Sequence, residues 1–329
     1  MIEFIRKEDA ISTMNKYSTD QEPFLFLINF DQSRSVVLPL KDISPNELKY
    51  QVSGIGNCDF SPDAIDHSKS LNFKKHPISY ETFNLAFDKV VAHIQYGNSF
   101  LTNLTFETPI ETNMSLSEIF DRSNARYKIW LKDHFCCFSP EIFIRVKDNV
   151  ISSYPMKGTI EASIPSAQEL ILADEKERAE HVTIVDLIRN DLSMIAENVT
   201  VPDFRYIETL RTNQADLLQV SSKISGEVRG NLLSKVGDLM FKLLPAGSIS
   251  GAPKPQTVEI INQAETHDRG FYTGVCGIFD GENLDSGVMI RFVEERAGKQ
   301  YFKSGGGITY FSDPVKEYQE YISKIYLPL

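Results

Sequence analysis

Apolar positions along this chain follow two rhythms. EPFLFLINFD, residues 22–31, is a nearly unbroken apolar run and reads as a buried strand. Residues 79–96 change to helical spacing. Phe83, Phe87, Val90, Val91 and Ile94 form one stripe, Ser79 is placed to cap its start, and Gly97 follows its end. Residues 126–131 and 142–147 read as strands, as does the approach to Tyr154. DEKERAEHVTIVDLIRNDLSMIAE reads as a long helix from about 174 to 197. FYTGVCGIFD, SGVMIRFVEE and QYFKSGGGITYF then read as three strands joined by short Gly, Asn and Asp turns. SDPVKEYQEYISKIY closes the chain as a helix, with Ser312 or Asp313 as its cap and Pro314 in its first turn. Strands in runs with helices between the runs predict an α+β fold of antiparallel sheets flanked by helices.

Composition narrows the setting. Of 329 residues, 42% are apolar and 24% charged, as in soluble globular proteins. Cys58, Cys136, Cys137 and Cys276 have neither metal-ligand nor disulfide-framework spacing and fit a reducing, cytoplasmic location. The N-terminus lacks the apolar stretch of a signal peptide, and FLFLI is far too short to span a bilayer. A net charge of −11 disfavours non-specific nucleic-acid binding, because phosphates would repel the chain. A small anionic substrate is still allowed, provided its site gathers its own positive charge. Lys157, in YPMKGT beside a glycine and after a proline turn, is a candidate for that charge.

Carboxylates recur in pairs. Glu177 and Glu180 share a face of the long helix, and Glu317 and Glu320 share a face of the last one. Each pair is either a solvated acidic face or, if the two meet, half of a hard oxygen site suited to Mg²⁺. Lys324, one turn beyond Glu320, is a salt-bridge partner or a hand for a substrate carboxylate. LPAGSISGAPK, residues 244–254, places small residues around Ser248 and Ser250, so backbone N–H groups could approach an anion. It is not a P-loop, since Pro253 interrupts it and no Ser or Thr follows Lys254. SGGGI, residues 304–308, weakens a strand pattern and points to a close approach of backbone or ligand. His181, beside Glu180, has no triad-like or metal-ligand company.

Taken in order, SPE at 139–141, PMKGT, DEKERAEHVTIVDLIRNDLS, LPAGSISGAPK, RGFYTGVCGIFD, IRF at 290–292 and GGGITYFSDPVKEYQE resemble the chorismate-utilising enzymes. That family includes component I of anthranilate synthase and of aminodeoxychorismate synthase, and the isochorismate and salicylate synthases. The resemblance is strong over residues 80–329 and weaker over 1–79, where EPFLFLINFD is similar to the start of short aminodeoxychorismate synthase chains. It implies one chorismate-binding catalytic domain over residues 1–329, with 1–79 a reduced N-terminal portion contributing strands. It also implies two antiparallel sheets packed face to face with helices outside. Mg²⁺ is implied between the Glu pairs, with Glu180 and Glu320 as direct ligands and Glu177 and Glu317 binding directly or through water. Ser248, Gly251, Arg291, Lys324 and the N–H groups of Gly305, Gly306 and Gly307 would hold the chorismate dianion, and Tyr272 would line the pocket.

Within the family, a lysine in PMKGT resembles the aminodeoxychorismate synthase branch, whereas the anthranilate-forming members carry a small residue there. That implies a covalent route: Lys157 attacks the ring, and Glu141 acts as general acid for the departing hydroxyl. Such chemistry requires a raised carboxyl pKa and a lowered lysine pKa. A separate glutamine amidotransferase subunit would supply ammonia, and a lyase would convert the product to 4-aminobenzoate for folate. The chain departs from the family pattern at Gln219, where histidine is usual, and at Leu101, where the water-adding members carry lysine. Nothing resembles the tryptophan-binding motif of anthranilate synthase. The alternatives are anthranilate synthase component I and an inactive paralogue acting as a binding subunit.

Overall fold

The computed structural model describes residues 2–58, 70–210 and 216–329. Among these, two nine-stranded antiparallel sheets pack face to face between outer helices, as expected. The strand Phe24–Ile28 shows why its run is unbroken. Phe24, Phe26 and Ile28 point to the outer core beneath the helices, while Leu25 and Leu27 point between the sheets. The strand Phe135–Ser139 repeats this in the second sheet. Phe135 and Cys137 face the first sheet, and Cys136 and Phe138 face the helices. Burial on both faces removes the polar alternation that a half-exposed strand shows. Each fully buried large side chain contributes about 1.5–3 kcal/mol. All four cysteines are free.

The first sheet runs Met156–Glu161, Leu217–Val228, Val150–Ser153, Ile142–Lys147, Leu284–Val288, Val275–Phe279, Phe24–Ile28, Ser35–Pro39, with Ala196–Leu210 also paired to Leu217–Val228. The second runs Gly251–Ala252, Leu101–Thr112, Lys299–Thr309, Phe292–Arg296, Phe135–Ser139, Tyr127–Leu131, Leu48–Val52, Ile55–Gly56, with Phe73–Lys75 also paired to Leu101–Thr112. Two neighbouring segments change sheets at the same level. Pro140 and Glu141 link Phe135–Ser139 to Ile142–Lys147, and Met289 to Arg291 link Leu284–Val288 to Phe292–Arg296. The links lie side by side: the Val288 N–H donates to the Glu141 carbonyl at 3.1 Å, and the Phe138 N–H donates to the Arg291 carbonyl at 3.1 Å.

Local signals hold where the forces are local. The helix Tyr80–Tyr96 is capped by Ser79 and ended by Gly97 in the left-handed region, and its stripe is buried except for the half-buried Val91. Asp313, not Ser312, caps the helix Pro314–Ser323. Three expectations need correction. SGVMIRFVEE is two strands in different sheets, because an apolar run reads alike whichever sheet buries it. FYTGVCGIFD becomes a strand only at Val275, since Thr273 takes φ +60°. The long helix ends at Ser193, where the chain peels away into Ala196–Leu210. That strand was not expected. Its register slips at three places, so no two-residue alternation survives. Among the described residues no helix is long and apolar enough to cross a membrane.

A tyrosine ties the two sheets together. Tyr127 of the second sheet reaches Asp285 of the first with its hydroxyl at 2.6 Å, and Arg145 pairs with the same carboxylate at 2.9 Å. The ring lies on Gly287, where a Cβ would come within 2.6 Å of ring carbons. Gly287→Ala should therefore lower the urea-unfolding free energy by about 1–3 kcal/mol through overpacking. An unchanged midpoint would refute this close packing.

Candidate active site

The candidate site gathers where the sheets exchange strands. Glu141 sits in the shorter link, and the Ser248 hydroxyl donates to its Oε1 at 2.6 Å. Burial pushes the Glu141 carboxyl above its ordinary pKa, against the lowering effects of Ser248, Arg291 and Lys324. The direction is the one that a general acid needs. Arg291 sits in the longer link at φ +54°, with its guanidinium 5.5 Å from the Tyr326 ring centre.

Lys157 lies on Met156–Glu161, the edge strand of the first sheet. The register shifts between Met156 and Thr159, and such a bulge re-aims the side chain within it. The ammonium reaches Glu180 Oε2 at 2.7 Å. Glu180 belongs to the helix Glu175–Ser193, which Asp174 caps by accepting from the Glu177 N–H at 2.9 Å. Gly158, at φ +82°, lets Glu177 approach: a Cβ there would stand 3.2 Å from Glu177 Oε2.

The second carboxylate pair comes from the last helix. Lys324 Nζ lies 2.7 Å from Glu320 Oε1 and donates to the Gly305 carbonyl at 2.9 Å. Gly306 is the floor beneath this group. A Cβ there would meet Glu317 Oε2 at 3.6 Å, and Glu320 Oε1 and Lys324 Nζ each at 3.7 Å. Those are ordinary contact distances; the close approach in the glycine run is at Gly305, where a Cβ would meet the Leu104 carbonyl oxygen of the neighbouring strand at 2.2 Å.

Burial opposes charge on Lys157, but Glu180, Glu177 and Glu320 outweigh it and hold the ammonium above its ordinary pKa. The direction is opposite to the expected lowering, because carboxylates of both helices act on this lysine. Lys324 differs: burial prevails over Glu320 and pulls its pKa down. Among the described residues no three carboxylate, imidazole or thiolate groups already converge as a ligand set. The donor set still suits a hard divalent cation. It is all oxygen, comes from two helices, and borders a cradle that a Cβ at Gly306 would fill.

Glu141, Lys157, Glu180, Ser248 and Gly307 line one cavity of about 120 Å³. Glu177, Glu317, Glu320 and Lys324 adjoin it through the contacts above. Tyr272 is buried outside the lining, its ring 5.9 Å from Phe292. Gly251 also lies outside it and pairs with Thr102 in the second sheet. Gln219 stands opposite Thr159, on the strand beside Lys157.

Sequence reading missed two ionic clusters. Lys254 reaches Asp191 Oδ2 at 2.7 Å on the cavity wall and donates to the Leu243 carbonyl at 2.7 Å. Arg269 pairs with Glu265 at 2.6 Å and donates to the carbonyls of Ile249 at 2.9 Å and Asn103 at 2.7 Å. Arg269 thereby holds the Ser248 segment against the strand Leu101–Thr112. Both lysine and arginine lie in motifs quoted above, and Glu265 is only four residues from Arg269, but Asp191 and the Asn103 and Ile249 carbonyls belong to elements that no local spacing links.

Comparison with known proteins places this architecture. The family described as chorismate binding enzyme matches residues 46–329. The chain belongs to that family. It is 47% identical over 319 residues to an uncharacterized PabA-like protein of Haemophilus influenzae, covering 97% of this chain and 96% of that one. It is 30% identical over 265 residues to aminodeoxychorismate synthase component 1 of Bacillus subtilis, covering 76% of this chain and 55% of that one. Among solved structures, anthranilate synthase component I of Streptococcus pneumoniae superposes with a TM-score of 0.66 at 28% identity, covering 87% of this chain and 62% of that one. The chain spans little more than half the length of these two synthase relatives.

Glu141 gives the site a pH signature. With its carboxyl pKa raised by burial, the folded chain keeps a proton that the unfolded chain releases. Stability is therefore lost as pH rises from the ordinary carboxylate range through the folded pKa. Glu141→Gln should raise the urea midpoint at pH 7 and leave it unchanged below the carboxylate range. Equal midpoints at both pH values would contradict the shift.

Proposed function

We propose that this chain converts chorismate and ammonia to 4-amino-4-deoxychorismate, as the component I of an aminodeoxychorismate synthase. Relatives of the aminodeoxychorismate and anthranilate kinds are about equally similar, so overall identity does not choose between them. One observation carries the reading: Lys157, Glu141 and Ser248 line the same cavity.

Lys157, once neutral, attacks ring C2. Both conjugated ring double bonds shift towards C4, the C4–O bond breaks, and Glu141 gives its proton to the departing hydroxyl, which leaves as water. Ammonia adds at C4, both ring double bonds shift back, and the C2–N bond returns its electron pair to Lys157. The carboxylate of Glu141 then takes the extra proton from the new C4 ammonium, which restores the acid. The enolpyruvyl group stays on the ring.

Ser248 holds Oε1 of Glu141 through its hydroxyl, which leaves Oε2 to carry the acid proton. Arg291, Lys324 and the N–H groups of residues 305–307 hold substrate carboxylates, and Tyr272 supports the pocket from behind. Glu180 and Glu320, with Glu177 and Glu317 directly or through water, would hold Mg²⁺, whose charge supplies electrostatic grip on a substrate carboxylate. Ammonia comes from a glutamine amidotransferase subunit, and a lyase turns the product into 4-aminobenzoate.

The test is product identity. Chorismate, Mg²⁺ and an ammonium salt at mildly alkaline pH should yield the mass of aminodeoxychorismate, converted to 4-aminobenzoate by an added lyase. Anthranilate with pyruvate would favour the other synthase, and no turnover would favour an inactive paralogue. Lys157→Ala should abolish the product, and Glu141→Gln should lower kcat by about 10²–10⁴-fold. Full activity in Lys157→Ala would rule out the covalent role.

A further inference from the structure

We infer that Lys157 and a divalent cation compete for the Glu180 carboxylate, so that the metal-free chain keeps this lysine as a built-in counter-ion. The inference rests on the metal site of the proposed function. Lys157 Nζ stands 2.7 Å from Glu180 Oε2, and both residues line the cavity. Glu180 is only 9% exposed, and a carboxylate so buried requires a nearby cation. Glu177 and Glu320 act on the same ammonium, so the fields of both helices meet at the lysine. A divalent ion would be drawn to that meeting point, and two cations at contact distance repel each other.

Of the two lysines at the site, Lys157 is the one built to yield. Lys324 is also tied to the Gly305 carbonyl and rises from the end of a helix. Lys157 stands on a bulged edge strand, with its side chain 31% exposed. Displaced from Glu180, it can turn within the cavity that it shares with Glu141. Metal loading and delivery of the amine would then be a single event, and by reciprocity removing the ammonium strengthens metal binding.

Calorimetric titration of the chorismate-free chain with Mg²⁺ tests this without turnover. Lys157→Met should bind Mg²⁺ about tenfold more tightly than the wild type. Lys157→Arg should stay at the wild-type level, and Glu180→Gln added to Lys157→Met should remove the gain. Equal or weaker Mg²⁺ binding by Lys157→Met overturns the competition. Should that variant fail to fold by circular dichroism, the wild type itself decides. Acetylation of Lys157 by acetic anhydride, read by peptide mass spectrometry, should rise when Mg²⁺ is present, and unchanged labelling overturns the inference. Competition without aminodeoxychorismate would refute only the proposed reaction. Product without competition would refute only this inference.

Discussion

Two strand pairs that change sheets at one level are the constraint on which this site depends. Antiparallel neighbours must stay hydrogen-bonded while they cross, so the two links are held in register by reciprocal bonds between Val288 and Glu141 and between Phe138 and Arg291. A carboxyl and a guanidinium are thereby set side by side at the seam. Because the seam is buried, the carboxyl is pushed towards its neutral form and the guanidinium moderates the shift. The crossing of the strands and the raised carboxyl pKa share one cause.

Around the seam, buried ion pairs act as rivets. Arg269 joins the Ser248 segment to the strand Leu101–Thr112 through two carbonyls, with Glu265 balancing its charge. Lys254 and Asp191 do the same between the small-residue loop and the long helix. Such pairs offset their desolvation only when their geometry is complete, so they bring specificity of placement more than net stability. Near the cavity, this acidic chain sets two partly buried lysines, Lys157 and Lys324, among carboxylates. The balance is local: carboxylates from two helices keep Lys157 charged, while greater burial draws Lys324 the other way.

Much of this was legible in the chain because it depends on neighbours a few residues apart. The stripe and caps of Tyr80–Tyr96, the cap and Pro start of the last helix, and the i, i+3 spacing of both Glu pairs are local facts. The order of PMKGT, the Glu pairs and the glycine run sufficed to indicate the family. The division of SGVMIRFVEE between two sheets was not legible, because burial in either sheet selects the same apolar residues. The long pair Ala196–Leu210 and Leu217–Val228 was hidden by its slips of register.

The sequence alone determined which side chains could do chemistry and on which face of each helix they stand, since helical and strand periodicity are set within single turns and pleats. Folding in three dimensions determined their state. Lys157 reads as a candidate nucleophile in PMKGT, yet its charge follows from Glu180, Glu177 and Glu320, carried by helices that approach it only in the folded chain. Ser248 reads as a loop residue for an anion, yet its hydroxyl is given to Glu141, across the seam between the sheets. Electrostatic and hydrogen-bond partners are chosen by distance in space, and no window of sequence contains that distance.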